Sequence, residues 1–165
     1  MSAHHWLVGF IVLERLCELA LSRRNAARLL AAGGIETGAG HYPLFFLLHG
    51  GWLVALIFGI PDGAPVNLVL LGVFAALQIA RFWVIASLGG HWTTRIITVP
   101  GTPRIAHGPY RYLRHPNYLV VVAEFAVVPL VFGAWRIALI FSALNLPLLW
   151  YRIRVEEKAL ANLSA

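Results

Sequence analysis

VNLVLLGVFAALQIARFWVIASL, residues 66–88, decides the fold class of this chain. At about 1.5 Å per residue it covers the roughly 30 Å hydrocarbon core of a bilayer, and Arg81 is its one charged residue. A helix on the surface of a soluble protein would carry a polar face repeating every three or four residues, and none is present here. The stretch therefore reads as a transmembrane helix. Gln78 lies three residues before Arg81, on the same face. A guanidinium exposed to lipid costs at least about 2.5 kcal/mol. Arg81 either snorkels to the interface or points into an internal polar site.

Composition extends this reading outward. The 165 residues are 59% hydrophobic and 12% charged, with a mean hydropathy of +0.75, which places the chain outside the soluble range. We read an all-α integral membrane protein, one membrane domain over residues 1–165. Three N-terminal helices fall within 1–88; a polar connection, a helical hairpin and a tail fall within 89–165. The other apolar segments cover about 5–22, 42–60, 117–131 and 136–155, giving about five transmembrane helices. Pro61-Asp62-Gly63-Ala64-Pro65 is a short turn. Phe132-Gly133 breaks the last apolar stretch into an antiparallel hairpin, and Pro147 kinks its second arm. The first segment contains Glu14, Arg15 and Glu18, which face the protein interior, a cavity or the headgroup zone. Past it, Arg23, Arg24 and Arg28 lead into a loop punctuated by Gly33-Gly34 and Gly38. His49, in the second segment, reads as a packed or hydrogen-bonded imidazole rather than a ligand.

Charge fixes orientation. With five helices, ten of the thirteen lysines and arginines fall on one side, which the positive-inside rule assigns to the cytoplasm. The formal charge of +6 sits at the ends of apolar segments. That pattern favours membrane lipid or an anionic cosubstrate over nucleic acid. The single cysteine, Cys17, excludes an internal disulfide, and no Cys/His set has zinc-site spacing, so no metal is expected. The first apolar stretch lacks a basic leader and a cleavage site, and is expected to be retained. A Ser-His-Asp set, a phosphate loop and a dinucleotide fingerprint are all missing, which counts against hydrolase, ATPase and Rossmann chemistry.

The chemistry concentrates in residues 89–117 and in the tail. The connection carries Arg95, Arg104, Arg111, Arg114 and three histidines, with Trp92 as an interfacial aromatic. Its Thr93-Thr94-Arg95-Ile96-Ile97-Thr98-Val99 run is β-prone and reads as an extended piece closing over a site. The run from His107 to Tyr118 follows, with Pro116 in the first turn of the next helix. Topology returns Glu156 and Glu157 to the same side. A zwitterion attached to a purine would find Glu156 or Glu157 for its ammonium, Arg114 or His115 for its carboxylate, and Tyr110, Tyr112 and Tyr118 for stacking. The competing reading pairs Arg152 and Arg154 with the two glutamates on a solvated helix end that binds nothing.

Gly108-Pro109-Tyr110-Arg111-Tyr112-Leu113-Arg114-His115-Pro116-Asn117-Tyr118, a helical hairpin, and then Arg154-Val155-Glu156-Glu157 resemble the C-terminal signature of the isoprenylcysteine carboxyl methyltransferase (ICMT) family. The resemblance covers roughly residues 89–160. Trp92-Thr93-Thr94-Arg95-Ile96-Ile97 and the run from Arg114 to Leu119 are similar to a short bacterial branch encoded near type III polyketide synthases, whose members resemble alkylpyrone and alkylresorcinol O-methyltransferases. The resemblance implies S-adenosylmethionine held by His107, Gly108, Tyr110, Arg114, His115, Pro116, Tyr118, Glu156 and Glu157. It also implies a lipophilic acceptor entering from the bilayer, functional pairing with a type III polyketide synthase, and a bacterial inner membrane with the cofactor site on the cytoplasmic side. The chain is shorter than eukaryotic members, so their acceptor does not transfer.

Methyl transfer from a sulfonium is an in-line displacement that depends mainly on positioning. Arg95 or Arg81 is the expected orienting group for an ionised acceptor. For a phenol, Glu124 is the candidate base; the alternative is a buried carboxylate paired with an arginine. The competing functions are carboxyl methylation of a prenylcysteine-like thioether, an NADPH-dependent reductase of the sterol reductase type, and a non-catalytic scaffold binding anionic lipid.

Overall fold

Proline and glycine set the ends of the helices. Pro43 and Pro116 occupy first turns, where the missing N–H costs nothing. The Asn67 side chain accepts the Leu70 N–H at 3.1 Å and caps the third helix. In the computed structural model, which describes residues 2–161, the helices are α1 (Ala3–Ala31), α2 (Tyr42–Gly59), α3 (Leu68–Leu88), α4 (Pro116–Leu130) and α5 (Trp135–Ala161). The other five positions of the single domain expected over 1–165 lie outside the described residues.

The chain is an all-α integral membrane protein ending in the expected hairpin, α4 against α5, turned at Gly133. Among the described residues three stretches are long and apolar enough to cross a membrane: Ala39–Gly59, Leu68–His91 and Trp135–Ala161. α4, at 15 residues, reaches only about 22 Å. α1 departs from the sequence expectation by continuing nine residues past Ser22. Arg23 to Ala31 is rich in alanine, leucine and arginine, all strong helix formers, so leaving the apolar zone does not end the helix. It ends at Gly33, whose φ of +85° lets the chain turn while the Gly34 N–H returns to the Leu29 carbonyl at 2.8 Å.

Two short strands close the basic end. β1 (Ile35–Thr37) pairs antiparallel with β2 (Ile96–Thr98), in register Ile35↔Thr98, Glu36↔Ile97 and Thr37↔Ile96. β2 covers three residues of the extended piece expected over Thr93–Val99; its partner β1 was not expected. The pairing ties the connection after α1 to the connection after α3, and both strands pack on α5.

The core lies toward the opposite end. Val8 and Ile11 of α1, Trp52 and Leu56 of α2, Phe74 of α3 and Phe125 and Val128 of α4 form one buried cluster. Trp52 stacks on Phe125 with centroids 4.7 Å apart. Apolar residues also dominate the outside: Phe58 is 81% exposed and Phe82 73%, the arrangement a lipid solvent favours. Phe125→Ala is expected to destabilise the fold by about 3–5 kcal/mol, whereas Phe58→Ala changes it by less than about 0.5 kcal/mol. Denaturant titration in detergent micelles, with both variants compared against the parent, checks the contrast.

Candidate active site

α1, α3 and α4 meet in a buried ion network. Arg81, 5% exposed, points inward. Its Nε donates to Glu18 Oε1, Nη2 to Glu18 Oε2 at 2.9 Å and Nη1 to Glu124 Oε2 at 2.9 Å. The other Glu124 oxygen accepts from Gln78 Nε2 at 3.0 Å and from Arg15 Nη2 at 3.4 Å. Arg15 also pairs with Glu14 and Glu18, each at 3.0 Å. Of the two placements open to Arg81, the structure has the internal one, and Glu124 is a carboxylate paired with arginines.

The polar lower half of α1 then positions the long connection. Ser22 Oγ bonds the Thr94 hydroxyl at 2.8 Å and accepts the Thr94 N–H at 2.9 Å. Asn25 donates to the carbonyls of Gly89 and Trp92 at 3.1 and 2.9 Å. Held this way, the connection and the end of α5 enclose a cleft of about 170 Å³. Tyr110, Arg114, His115, Tyr118 and Glu156 line it. A wider opening of about 500 Å³ adjoins it at Arg104 and Arg114 and includes Glu157.

Of the expected cofactor residues, six side chains thus converge. Tyr118 OH donates to Glu156, and His115 Nε2 lies 3.4 Å from Glu157 while stacking on Tyr118 at 5.6 Å. Burial, and then the Glu156 carboxylate, push the Tyr110 hydroxyl above the usual phenol range, so it stays protonated at neutral pH. Gly108 and Pro116 act through the backbone. A Cβ at Gly108, where φ is +58°, would collide with the Ser87 hydroxyl, and Pro116 starts α4. The exposed His107 side chain is not part of the lining; its carbonyl accepts the Tyr110 N–H at 3.2 Å. Among the described residues Arg152 and Arg154 form no ion pair with Glu156 or Glu157. Arg154 stacks instead over Trp150 at 5.3 Å.

A second cavity, of about 300 Å³, lies within the helices behind this cleft. Leu16, Phe46 and Leu53 are among its apolar walls, and Glu18, His49 and Arg81 are among its polar groups. Cleft and cavity share Trp92, Thr93, Asn117, Tyr118 and Arg152. Arg152 was not singled out as a site residue in the sequence. It is 8% exposed, donates to Tyr118 OH at 3.0 Å and to the Thr94 carbonyl at 2.7 Å, and lies over the Phe45 and Tyr118 rings. It has no carboxylate partner among the described residues. The available signal was its place one helical turn before Glu156. Arg95 lines the cleft, exposed and 3.2 Å from Glu36, apart from the cavity that holds Arg81. Glu124 lines neither space directly. At the far ends of the helices His4, His5 and Asp62 bring ligand atoms within 4.8 Å of one another, a proximity the sequence spacing did not reveal.

The ICMT family profile matches residues 69–162, more than half of the chain. The chain belongs to the isoprenylcysteine carboxyl methyltransferase (ICMT) family. Members of this family are S-adenosylmethionine-dependent membrane methyltransferases, so membership implies methyltransferase activity. The chain is also 36% identical over 162 residues to Uncharacterized protein YpbQ of Bacillus subtilis, covering 96% of both chains. It is 28% identical over 161 residues to an uncharacterized protein of Haemophilus influenzae, covering 93% of this chain and 92% of that one. No solved structure matches. The donor set fits the family's cosubstrate: carboxylates at Glu156 and Glu157 for an ammonium, Arg114 and His115 for a carboxylate, and the Asn117 side-chain carbonyl, without a hydrogen-bond partner among the described residues, at the wall between the two spaces.

Arg81→Met leaves Glu18 and Glu124 buried with only Arg15 between them, and is expected to destabilise the protein by about 3–5 kcal/mol. Thermal unfolding in detergent checks this, with Arg95→Met, at an exposed pair, expected to change stability by less than about 1 kcal/mol.

Proposed function

We propose that this protein transfers the methyl group of S-adenosylmethionine to a hydroxyl oxygen of a lipophilic acceptor, of the alkylpyrone or alkylresorcinol type. The observation that carries the reading is the shared wall: a polar cleft and an apolar intramembrane cavity meet at Asn117, Tyr118 and Arg152. Reaction between a water-soluble donor and a lipid needs such a junction. When bound, the cosubstrate supplies a methyl group already activated on a sulfonium, so alignment is the main task of the protein.

The residues divide that task. Glu156 and Glu157 hold the ammonium, and Arg114 and His115 the carboxylate, of the amino-acid moiety. Tyr118 fixes Glu156 and Arg152 relative to each other, because its hydroxyl donates to the one and accepts from the other. Arg152, a buried cation with no carboxylate partner among the described residues, orients the acceptor oxygen. Arg81 and Arg95, each already paired with carboxylates, serve the walls. The acceptor enters from the bilayer through the apolar side of the cavity. Arg152 would orient a carboxylate equally well. Carboxyl methylation of a prenylcysteine-like thioether is therefore the second reading, and it fits the family.

The proposal extends to setting. The clustering of positive charge at the cleft end supports a cytoplasmic position for that end at a bacterial inner membrane, and we propose a type III polyketide synthase as the source of such acceptors. S-adenosylhomocysteine is expected to bind the solubilised protein in calorimetry, with Glu156→Gln weakening it about ten- to hundred-fold. Lipid extracts incubated with labelled cosubstrate are expected to give a methyl ether in mass spectrometry. A methyl ester of a prenylated thioether would move the assignment to the second reading, and a label on carbon or nitrogen would overturn both.

A further inference from the structure

His49 of α2 faces the intramembrane cavity and takes no part in the ion pairs of its wall. Its Nδ1 lies 2.9 Å from the Phe45 carbonyl, one helical turn back. A carbonyl can only accept, so Nδ1 carries the ring proton, and in the neutral ring Nε2 holds a lone pair. Nε2 has no hydrogen-bond partner among the described residues. The ring is held edge-on to Phe125, with centroids 4.9 Å apart and planes at 90°, so its direction is set by packing.

The other groups on the wall able to take a proton are occupied. Both Glu18 oxygens receive guanidinium N–H groups of Arg81. Tyr118 OH lies between Glu156 and Arg152, and Tyr42 OH bonds the Thr94 hydroxyl at 2.9 Å. Glu124, just behind the wall, receives Arg81, Gln78 and Arg15. Using it as a base would break a buried network holding three helices, whereas His49 can take a proton without losing any bond it makes.

We propose that His49 Nε2 is the general base that takes the proton from the acceptor hydroxyl, an inference that rests on the O-methyltransferase reading. As the acceptor oxygen forms its bond to the methyl carbon, the carbon–sulfur bond breaks and its electron pair stays on sulfur. The hydroxyl proton moves to Nε2, leaving an imidazolium that later releases it to water. The charged groups around it are Arg15 and Glu18 from α1, Arg81 from α3, Glu124 from α4 and Arg152 from α5. Such a base matters for a phenol, which is neutral at physiological pH, and matters little for an acidic enol, which arrives ionised. His49 therefore determines which class of hydroxyl lipid is methylated.

The test compares parent and His49→Gln on a long-chain alkylresorcinol and on a long-chain 4-hydroxy-2-pyrone. Calorimetry with S-adenosylhomocysteine serves as the folding control. Turnover of the resorcinol is expected to fall about a hundred-fold more than turnover of the pyrone, with loss of the acidic limb of the pH profile. Equal losses on both acceptors would reduce His49 to a packing residue, and no loss on either would remove it from the reaction. A readout independent of turnover uses a long-chain alkyl nitrophenol bound without cosubstrate: its phenolate absorbance at neutral pH is expected to be weaker in His49→Gln. An unchanged band overturns the inference. If the parent methylates neither acceptor, the O-methyltransferase reading fails, and the band decides on His49 by itself. Should His49→Gln not fold, a solvent deuterium effect in the parent on the resorcinol but not the pyrone supports the base, and its absence on both refutes it.

Discussion

One guanidinium organises the membrane half of this protein. Arg81 spans Glu18 and Glu124 and so couples α1, α3 and α4 through buried side chains. Helices in lipid gain little from burying apolar surface against one another, because the tails around them are equally apolar. Directional bonds and close packing must supply what the hydrophobic effect supplies elsewhere. The stack of Trp52 on Phe125 and the Arg81 network are those two kinds of contact, and both engage α4.

The same network explains why so polar a set of residues leaves a mostly apolar cavity. Two guanidiniums and three carboxylates satisfy one another along one wall, so the space in front of them is lined largely by Leu16, Phe46 and Leu53. Pairing inside the wall allows a lipid tail to lie beside charged groups. Arg152 stands outside that balance, and its positive charge falls where donor and acceptor spaces meet. The polarity of the site is thus divided by depth, with exchangeable contacts at the basic end and fixed ones beneath it.

Much of this was legible from residue order. Apolar runs gave α2, α3 and α4 nearly to their ends and the start of α5, which continues six residues past the expected Val155, and Phe132-Gly133 gave the turn. His115 and Tyr118 together with Glu156 and Glu157 were legible as one polar cluster, because the hairpin returns the two carboxylates to the side where the connection ends, and they do line one cleft and the opening beside it. The rest needed three dimensions. Arg23 to Ala31 serves equally well as loop or helix by charge, and only propensity favours the helix. β1 is three residues between glycines, too short for an alternating pattern. Arg152 looks like any arginine at a helix end, and His49 like any imidazole in an apolar run. What distinguishes them is who their neighbours are, and those neighbours come from other helices.

The overlong first helix acts as a ruler. Glu18, which anchors the floor of the intramembrane cavity, and Ser22 and Asn25, which hold the connection over the cleft, lie on one uninterrupted α1. Seven residues separate Glu18 from Asn25, which is about 10 Å of rise and close to two full turns. The height and azimuth of the two compartments are therefore set by helical pitch rather than by bilayer thickness. One residue inserted between Glu18 and Ser22 would turn the two sets about 100° out of phase while leaving every side chain in place chemically. The spacing along α1, as much as the residues it carries, is part of the site.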